Sequence, residues 1–329
     1  MAFPNLHLML PDDWSIEPIG DCVWHARHAQ PDGRLELICY EVANGIVLMD
    51  IDLDCRTLPV TWPGNTSALT LNWCACGRCE VDLAWKGSAV LEAGLMCAST
   101  TTAHMFTYPR RPYRGFEYHI AFERIDHKTE SLLHNFDVDL PKLGQRLCSS
   151  TPVCMIKPAG ALMHTVEAIT DLMAQDTTAS SSLLVATCQL LALLNTIDPS
   201  AQRVPSAYLQ RSQRDLARRL HSAIEANPNN PGCVSAIAHE VGIGEASLRA
   251  YFSRIYGTSP AACAREIVLE RAAEMLATSD APVSDVALAS NYSNPSKFSA
   301  AFKRQFDVNP IEYRRRKKLE QLEGDDRQS

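Results

Sequence analysis

Two stretches near the C-terminal end follow one plan: Ser235–Phe252, SAIAHEVGIGEASLRAYF, and Ser284–Phe302, SDVALASNYSNPSKFSAAF. Each reads as a short apolar helix, a tight turn, and a second helix whose apolar residues recur every four positions. In the first stretch Ile237, Ala238 and Val241 make the inner face of the leading helix, and Gly242 stands where the chain needs a positive φ. Gly244 is the expected N-cap of the second helix, with Glu245 in its first turn. Leu248, Phe252 and Ile255 then face inward, while Ala246, Arg249, Ala250 and Ser253 form the outer stripe, with Arg254 beside them. In the second stretch Val283, Val286 and Ala287 begin the leading helix, Asn291 takes the left-handed turn position, and Ser293 is the expected N-cap ahead of Pro295. Phe298, Phe302 and Phe306 face inward; Ser296, Lys297, Ala300, Ala301 and Arg304 face outward.

Short outer side chains let a helix approach base edges closely, and an arginine among them reaches guanine O6 and N7 with two hydrogen bonds. One basic stripe is also what an ordinary solvated helix shows. Neither propensity nor packing requires the same plan twice. Between the two stretches, Ser259-Pro260 starts a helix running to about Ser279, with Leu269, Ala272, Ala273 and Leu276 on one face. A rod of roughly 25 Å follows from its rise per residue. It would hold the outer helices about 34 Å apart, one turn of B-DNA.

The stretch from about Arg214 to Arg316 resembles the DNA-binding domain of AraC/XylS-type transcription regulators. The residues that carry the resemblance are Val286–Arg314, VALASNYSNPSKFSAAFKRQFDVNPIEYR, with Gly257–Pro260 and Leu269–Ala272 in the expected order and spacing. The family usually has Gly where Asn291 and Asp307 stand, a basic residue at Ala250 and Val268, and an aromatic at Cys263. Asn and Asp both reach the left-handed region, so the turns survive; at Ala250 the neighbouring Arg249 is the available basic group.

Charge separates the chain along the same line. The net charge is −7, yet residues 1–210 carry −9, residues 211–318 carry +5 and residues 319–329 carry −3. The basic balance falls on the segment with the paired helices, as phosphate neutralisation requires. The block Arg314–Lys318 is either a phosphate contact or a disordered solubilising end. No stretch reads as a signal peptide or membrane span; the most apolar run, Leu183–Ile197, contains Thr187, Gln189, Asn195 and Thr196 and reads as a soluble core helix. Twelve scattered cysteines read as reduced core residues.

From Leu35 to about Glu123 the pattern has period two. Met49, Ile51 and Leu53 alternate with Asp50, Asp52 and Asp54; Leu69, Leu71 and Trp73 alternate with Thr70 and Asn72. A turn is expected at Gly77-Arg78, followed by Val81 and Leu83 alternating with Glu80 and Asp82; Phe116, Tyr118, Ile120 and Phe122 repeat the signature. Such short half-buried strands suggest a small β-barrel or jelly roll, and the resemblance implies a cupin-like sensor here. The run Cys74–Cys79, CACGRC, offers thiols at metal-ligand spacing, but as part of a hairpin its members point in different directions. His104 and His119 are isolated, so a catalytic metal set is not expected. After Pro158 the pattern turns helical, with Leu162, Val166, Ile169, Leu172 and Met173 on one helix and Leu183, Leu184, Cys188, Leu191 and Leu194 on another. This pair either caps the β domain or offers a face for self-association.

The fold class expected is α+β with two domains: a β-rich, cupin-like or jelly-roll sensor with a helical pair, then an all-α tandem helix-turn-helix domain. The boundaries are 1–197 for effector sensing and dimerisation (β-rich to about 155, helical over 159–197), 198–212 for a linker, 213–318 for DNA binding, and 319–329 for an acidic tail. The resemblance implies a cytoplasmic, homodimeric regulator whose partners are double-stranded DNA, a small effector of unknown identity and, for an activator, RNA polymerase. No cofactor, catalytic residue or metal ligand is expected. Alternative readings are a thiol- or metal-responsive regulator using Cys74, Cys76 and Cys79, and a cupin-like enzyme with a DNA-binding appendage.

Overall fold

The computed structural model describes residues 14–326 apart from 31–32, 56, 59–67, 83–86, 101–105, 150–152, 176–179, 199–203 and 205–206. Leu83 and His104 therefore lie outside the described residues. The chain divides into two compact units, residues 1–214 with 254–256, and residues 215–253 with 257–329.

The first unit is built on an antiparallel sheet of β1 (Ser15–Gly20), β2 (Val23–Gln30), β3 (Gly33–Ala43), β4 (Ile46–Asp54), β5 (Thr57–Leu58), β6 (Ala68–Asp82), β7 (Ser88–Glu92), β8 (Met96–Ser99), β9 (Phe106–Ala121), β10 (Val153–Ile156) and β11 (Tyr208–Leu209). The order is β1-β2-β3-β4-β9-β6-β7-β11; β8 pairs with β6 and β10, and β5 with β9. Its helices are α1 (His127–His134), α2 (Leu140–Leu147), α3 (Ala161–Ala174) and α4 (Ser180–Thr196).

Alternation along the strands sorts side chains into two buried layers. Val47, Met49, Ile51 and Leu53 of β4 join Ala26, Leu35, Leu37, Cys79, Leu91, Tyr113 and Met155 in one cluster. That cluster's described members come from strands and connecting segments, so the sheet must curl to cover its own inner face, as barrels and jelly rolls do. Ile46, Leu48, Leu69, Leu71, Trp73, Phe116, Tyr118 and Ile120 point the other way, against Leu162, Val166, Ile169, Leu183, Leu190 and Leu194 of α3 and α4. Tyr118 and Thr187 share a hydrogen bond of 2.8 Å across this layer. Arg146 of α2 donates to the Leu194 and Ile197 carbonyls at 2.5 and 2.6 Å, satisfying acceptors that the end of α4 leaves open.

The β-rich expectation therefore holds, with one change. The strands were expected to be half-buried, but the α3–α4 cover makes the middle of the sheet dry on both sides. Asn72, Glu80, Glu117 and His119, polar positions in the alternation, are all buried. The expected turn at Gly77-Arg78 is absent: β6 runs on through it, with register shifts against β9 between Cys74 and Glu80. Gly77 has φ +88, and a Cβ there would stand 2.3 Å from the Pro112 carbonyl oxygen. It marks a bulge, not a hairpin.

Part of the stretch expected as a linker is bound to the sheet. Tyr208 and Leu209 pair with Ala89 and Ser88 of β7. The Tyr208 hydroxyl donates to the Val153 carbonyl at 3.0 Å and accepts from the Met155 amide at 3.1 Å.

The remaining described elements are helices: α5 (Arg211–Ala226), α6 (Cys233–Val241), α7 (Glu245–Tyr256), α8 (Pro260–Thr278), α9 (Val283–Ala289), α10 (Pro295–Phe306) and α11 (Pro310–Asp326). Ser259 caps α8, accepting from the Ala262 amide at 3.2 Å. At 19 residues α8 is about 28 Å long. Its apolar face, Leu269, Ala272, Ala273 and Leu276, is buried with Val286, Ala287, Phe298 and Phe302. No described helix is long and apolar enough to cross a membrane.

Candidate nucleic-acid interface

Two helix pairs, α6–α7 and α9–α10, reproduce the plan read from the sequence. Gly242 ends α6 in the left-handed region at φ 70, and its amide bonds back to the last turn of α6. The turn then lets Gly244, extended and without a side-chain cap, open α7. Leu248, Phe252 and Ile255 are wholly buried. Val241, expected on the inner face, is 37% exposed, because it sits in the last turn of α6 where the chain swings away.

In the second pair Asn291 takes the left-handed turn at φ 62, and Asp307 ends α10 in the same region at φ 60. The cap lies one residue later than expected. Asn294, not Ser293, precedes Pro295 in extended conformation, and its Oδ1 accepts from the Ser296 and Lys297 amides at 2.8 and 3.3 Å. Proline fits best as the first helical residue, so the cap must be its immediate neighbour. Phe298 and Phe302 are fully buried and Phe306 half-buried. Phe302 meets the rings of Phe298, Phe306 and Tyr313 at centroid distances of 5.6, 4.5 and 5.4 Å, which fixes the roll of α10 about its axis.

With the inner stripes fixed, the outer ones follow. On α7, Ala246, Arg249, Ala250 and Arg254 are exposed and Ser253 half-buried. On α10, Ser296, Lys297, Ala300 and Arg304 are exposed; Ala301 is half-buried and packs against the Phe298–Phe302 core, so it is the least open of the set. Arg249 donates from Nη2 to Glu245 Oε2 at 2.8 Å, one turn back on the same helix. That bond, with one to Ser235, holds the Glu245 carboxyl below its ordinary pKa.

The basic block at the chain's end is neither tail nor bare patch. It lies in α11, where Arg314 donates to the Leu276 and Ala281 carbonyls at 3.3 and 2.5 Å. Arg316 pairs with Glu312, and Lys318 with Asp280. Lys317 stands over the Tyr313 ring, 6.0 Å from its centroid. The helical register of this block was the missed signal: Glu312 stands four residues before Arg316.

Elsewhere the constellation of thiols does not converge. Cys74 and Cys79 are buried and Cys76 is exposed on the bulged strand. Burial pushes the Cys74 thiol up to about 12 and that of Cys79 well above its ordinary value, away from the thiolate that metals and oxidants need. His119 is buried too, and desolvation lowers its pKa to about 4, so it is a neutral imidazole. Among the described residues no three His, Cys, Asp or Glu side chains are placed to hold a metal ion.

Residues 237–316 match the family model described as a helix-turn-helix domain. Over 127 residues the chain is 28% identical to the HTH-type transcriptional regulator ExsA of Pseudomonas aeruginosa, covering 39% of this chain and 45% of that protein. Over 104 residues it is 33% identical to the RCS-specific HTH-type transcriptional activator RclR of Escherichia coli, covering 31% and 37%. The matched stretches thus span less than half the length of these relatives. Among solved structures, a probable AraC family transcriptional regulator from Rhodopseudomonas palustris aligns at 27% identity and a TM-score of 0.29, over 31% of this chain and 97% of that one. The paired helix-turn-helix units thus lie in a segment that matches a helix-turn-helix domain model and is similar to stretches of HTH-type transcriptional regulators.

Proposed function

We propose that this protein regulates transcription by binding a specific DNA sequence through α7 and α10, in response to a small effector bound by the N-terminal unit. The observation that carries the reading is the twofold plan itself: two helices, each clamped by a buried apolar stripe, each presenting small residues and a basic side chain outward. The residues proposed to meet DNA are Ala246, Arg249, Ala250, Ser253 and Arg254 of α7, with Ser296, Lys297, Ala300, Ala301 and Arg304 of α10. Arg249 and Lys297 are assigned to base edges, and Arg304 to a base or a phosphate.

Short side chains around Arg249 support a close approach to the groove, and the +5 balance of residues 211–318 supports attraction to phosphates. The N-terminal unit is assigned to effector binding and to homodimerisation through α3 and α4. The exposure of Val185 on α4, at 64%, favours an apolar face there. The protein is placed in the cytoplasm, with RNA polymerase as a further partner if it activates.

The test is a DNA-binding titration with the full chain. Arg249→Ala and Lys297→Ala each weaken binding to the preferred site by about 1–3 kcal/mol and weaken binding to random DNA much less. Equal loss on every sequence demotes the residue to a phosphate contact. An effector recognised by its stabilisation of the N-terminal unit must also change DNA affinity or DNA geometry; if it changes neither, the sensing half of the reading is wrong.

A further inference from the structure

An acidic side chain on a helix brought against phosphates is repelled by them, so Glu245 calls for a physical reason. It opens α7, where a negative charge complements the helix N-terminus. Its carboxylate has two further partners. It accepts from Arg249 Nη2 at 2.8 Å, and the Ser235 side chain on α6 adds to the lowering of its pKa. One carboxylate therefore holds, within α7, the arginine assigned to its outer face. The side chains of Arg249 and Glu245 are 47% and 45% exposed, so the pair stands at the surface and not in the core. An exposed pair one helical turn apart adds little to helix stability. Its consequence lies in where it holds the guanidinium.

We propose that Glu245 is a positioning residue that presents Arg249 to a guanine edge. The proposal rests on the reading of α7 as a base-contacting helix. A free arginine side chain has many rotamers to lose on forming two hydrogen bonds in one plane. Anchoring one of its five N–H groups to Glu245 removes part of that freedom beforehand and leaves other donors for O6 and N7. In α10 the first turn contains no acidic residue, so Lys297 is presented without such a brace. The first reader is then the more exacting of the two.

The experiment uses full-length protein and DNA selected from a random pool by the wild-type chain. If wild type selects no sequence, the DNA-reading assignment fails and the proposal falls with it. Given a selected site, affinities are measured for it and for every single-base-pair variant of it. Arg249→Ala identifies the base pair whose preference it erases. Glu245→Ala is expected to lower the preference at that same base pair about fivefold, the lower end of one bidentate contact, while other positions hold. Glu245→Gln keeps an acceptor oxygen at the same reach and retains more of the preference. In the Arg249→Ala background, Glu245→Ala changes nothing further at that position.

Three results overturn the proposal. One is that Glu245→Ala shifts all sequences by a common factor, as loss of bulk repulsion would. Another is that it lowers preference at every position, as a frayed helix would. The third is that it acts equally with and without Arg249.

Discussion

Asn294 shows how much one side chain settles. Its amide oxygen takes two of the amides that the start of α10 leaves without partners, at 2.8 and 3.3 Å, and so sets where the helix begins. Asn294→Ala is expected to cost about 1 kcal/mol of the C-terminal unit's stability in denaturant titration. Ser293→Ala, one residue earlier, is expected to change it by only a few tenths. A result in which Ser293→Ala is the costlier change would return the cap to Ser293. In sequence the two are hard to separate, since Ser and Asn are both good caps and stand side by side. What separates them is Pro295, whose fixed φ demands that the cap be its neighbour. Gly77 is a harder case. A glycine with positive φ looks the same in sequence whether the chain turns back or bulges and continues. Only the Pro112 carbonyl, some 35 residues away, reveals the second.

Strand β9 carries two titratable groups with opposite habits. Burial raises the Glu117 carboxyl from 4.5 to about 7, although the Asn72 side-chain amide donates to it at 2.7 Å. Burial, with help from Arg124, lowers His119 from 6.5 to about 4. For Glu117 the folded protein holds its proton more tightly than the unfolded chain, so this stability is present below pH 4.5 and lost as pH rises towards 7. For His119 the unfolded chain binds the proton more tightly, so stability is present above pH 6.5 and lost as pH falls towards 4. Each contributes about 3 kcal/mol of change, and between pH 4.5 and 6.5 the two nearly cancel. Melting of the N-terminal unit in Glu117→Gln should therefore show acid destabilisation that wild type hides, and His119→Gln should show the reverse. Identical pH slopes in wild type and both variants would mean that neither group titrates as its burial implies.

The period-two pattern of β9 was legible from Phe116, Tyr118 and Ile120. The burial of Glu117 and His119 was not, because it depends on the sheet curling over its own inner face. Nothing local to those residues reports that closure. The helices of the C-terminal unit were more legible because stripe, cap and turn all lie within one short stretch of chain. The hairpin β1–β2 and the short helices α1 and α2 went unread. Asp126 and Asp139 were available as signals: each caps its helix by accepting the amide three residues on, at 2.8 and 3.1 Å.

For the whole molecule, charge and apolar exposure point to different partners. The N-terminal segment is acidic and the helical segment basic, which keeps a DNA-binding surface from being neutralised by the sum. Val185 lies on α4, whose other side fills the sheet-covering core. If that outer side joins two copies, Val185→Asp should turn a dimer into a monomer in sedimentation experiments at micromolar concentration. The melting of the N-terminal unit should be unchanged when protein is dilute. A wild-type chain that sediments as a monomer would remove the dimer from the reading.

The distribution of thiols also makes the protein its own unfolding gauge. Of the twelve cysteines, Cys22 and Cys76 are exposed, Cys148 is half-buried, and the other nine are buried. A maleimide added to native protein should label Cys22 and Cys76 first. Cys233 and Cys263, the two cysteines of the C-terminal unit, should react only when that unit opens. Counting labels by mass as denaturant rises would then report the opening of each unit separately, with no engineered probe. Rapid labelling of Cys233 in native buffer would mean that α6, the scaffold of the first reader, is already loose before DNA arrives.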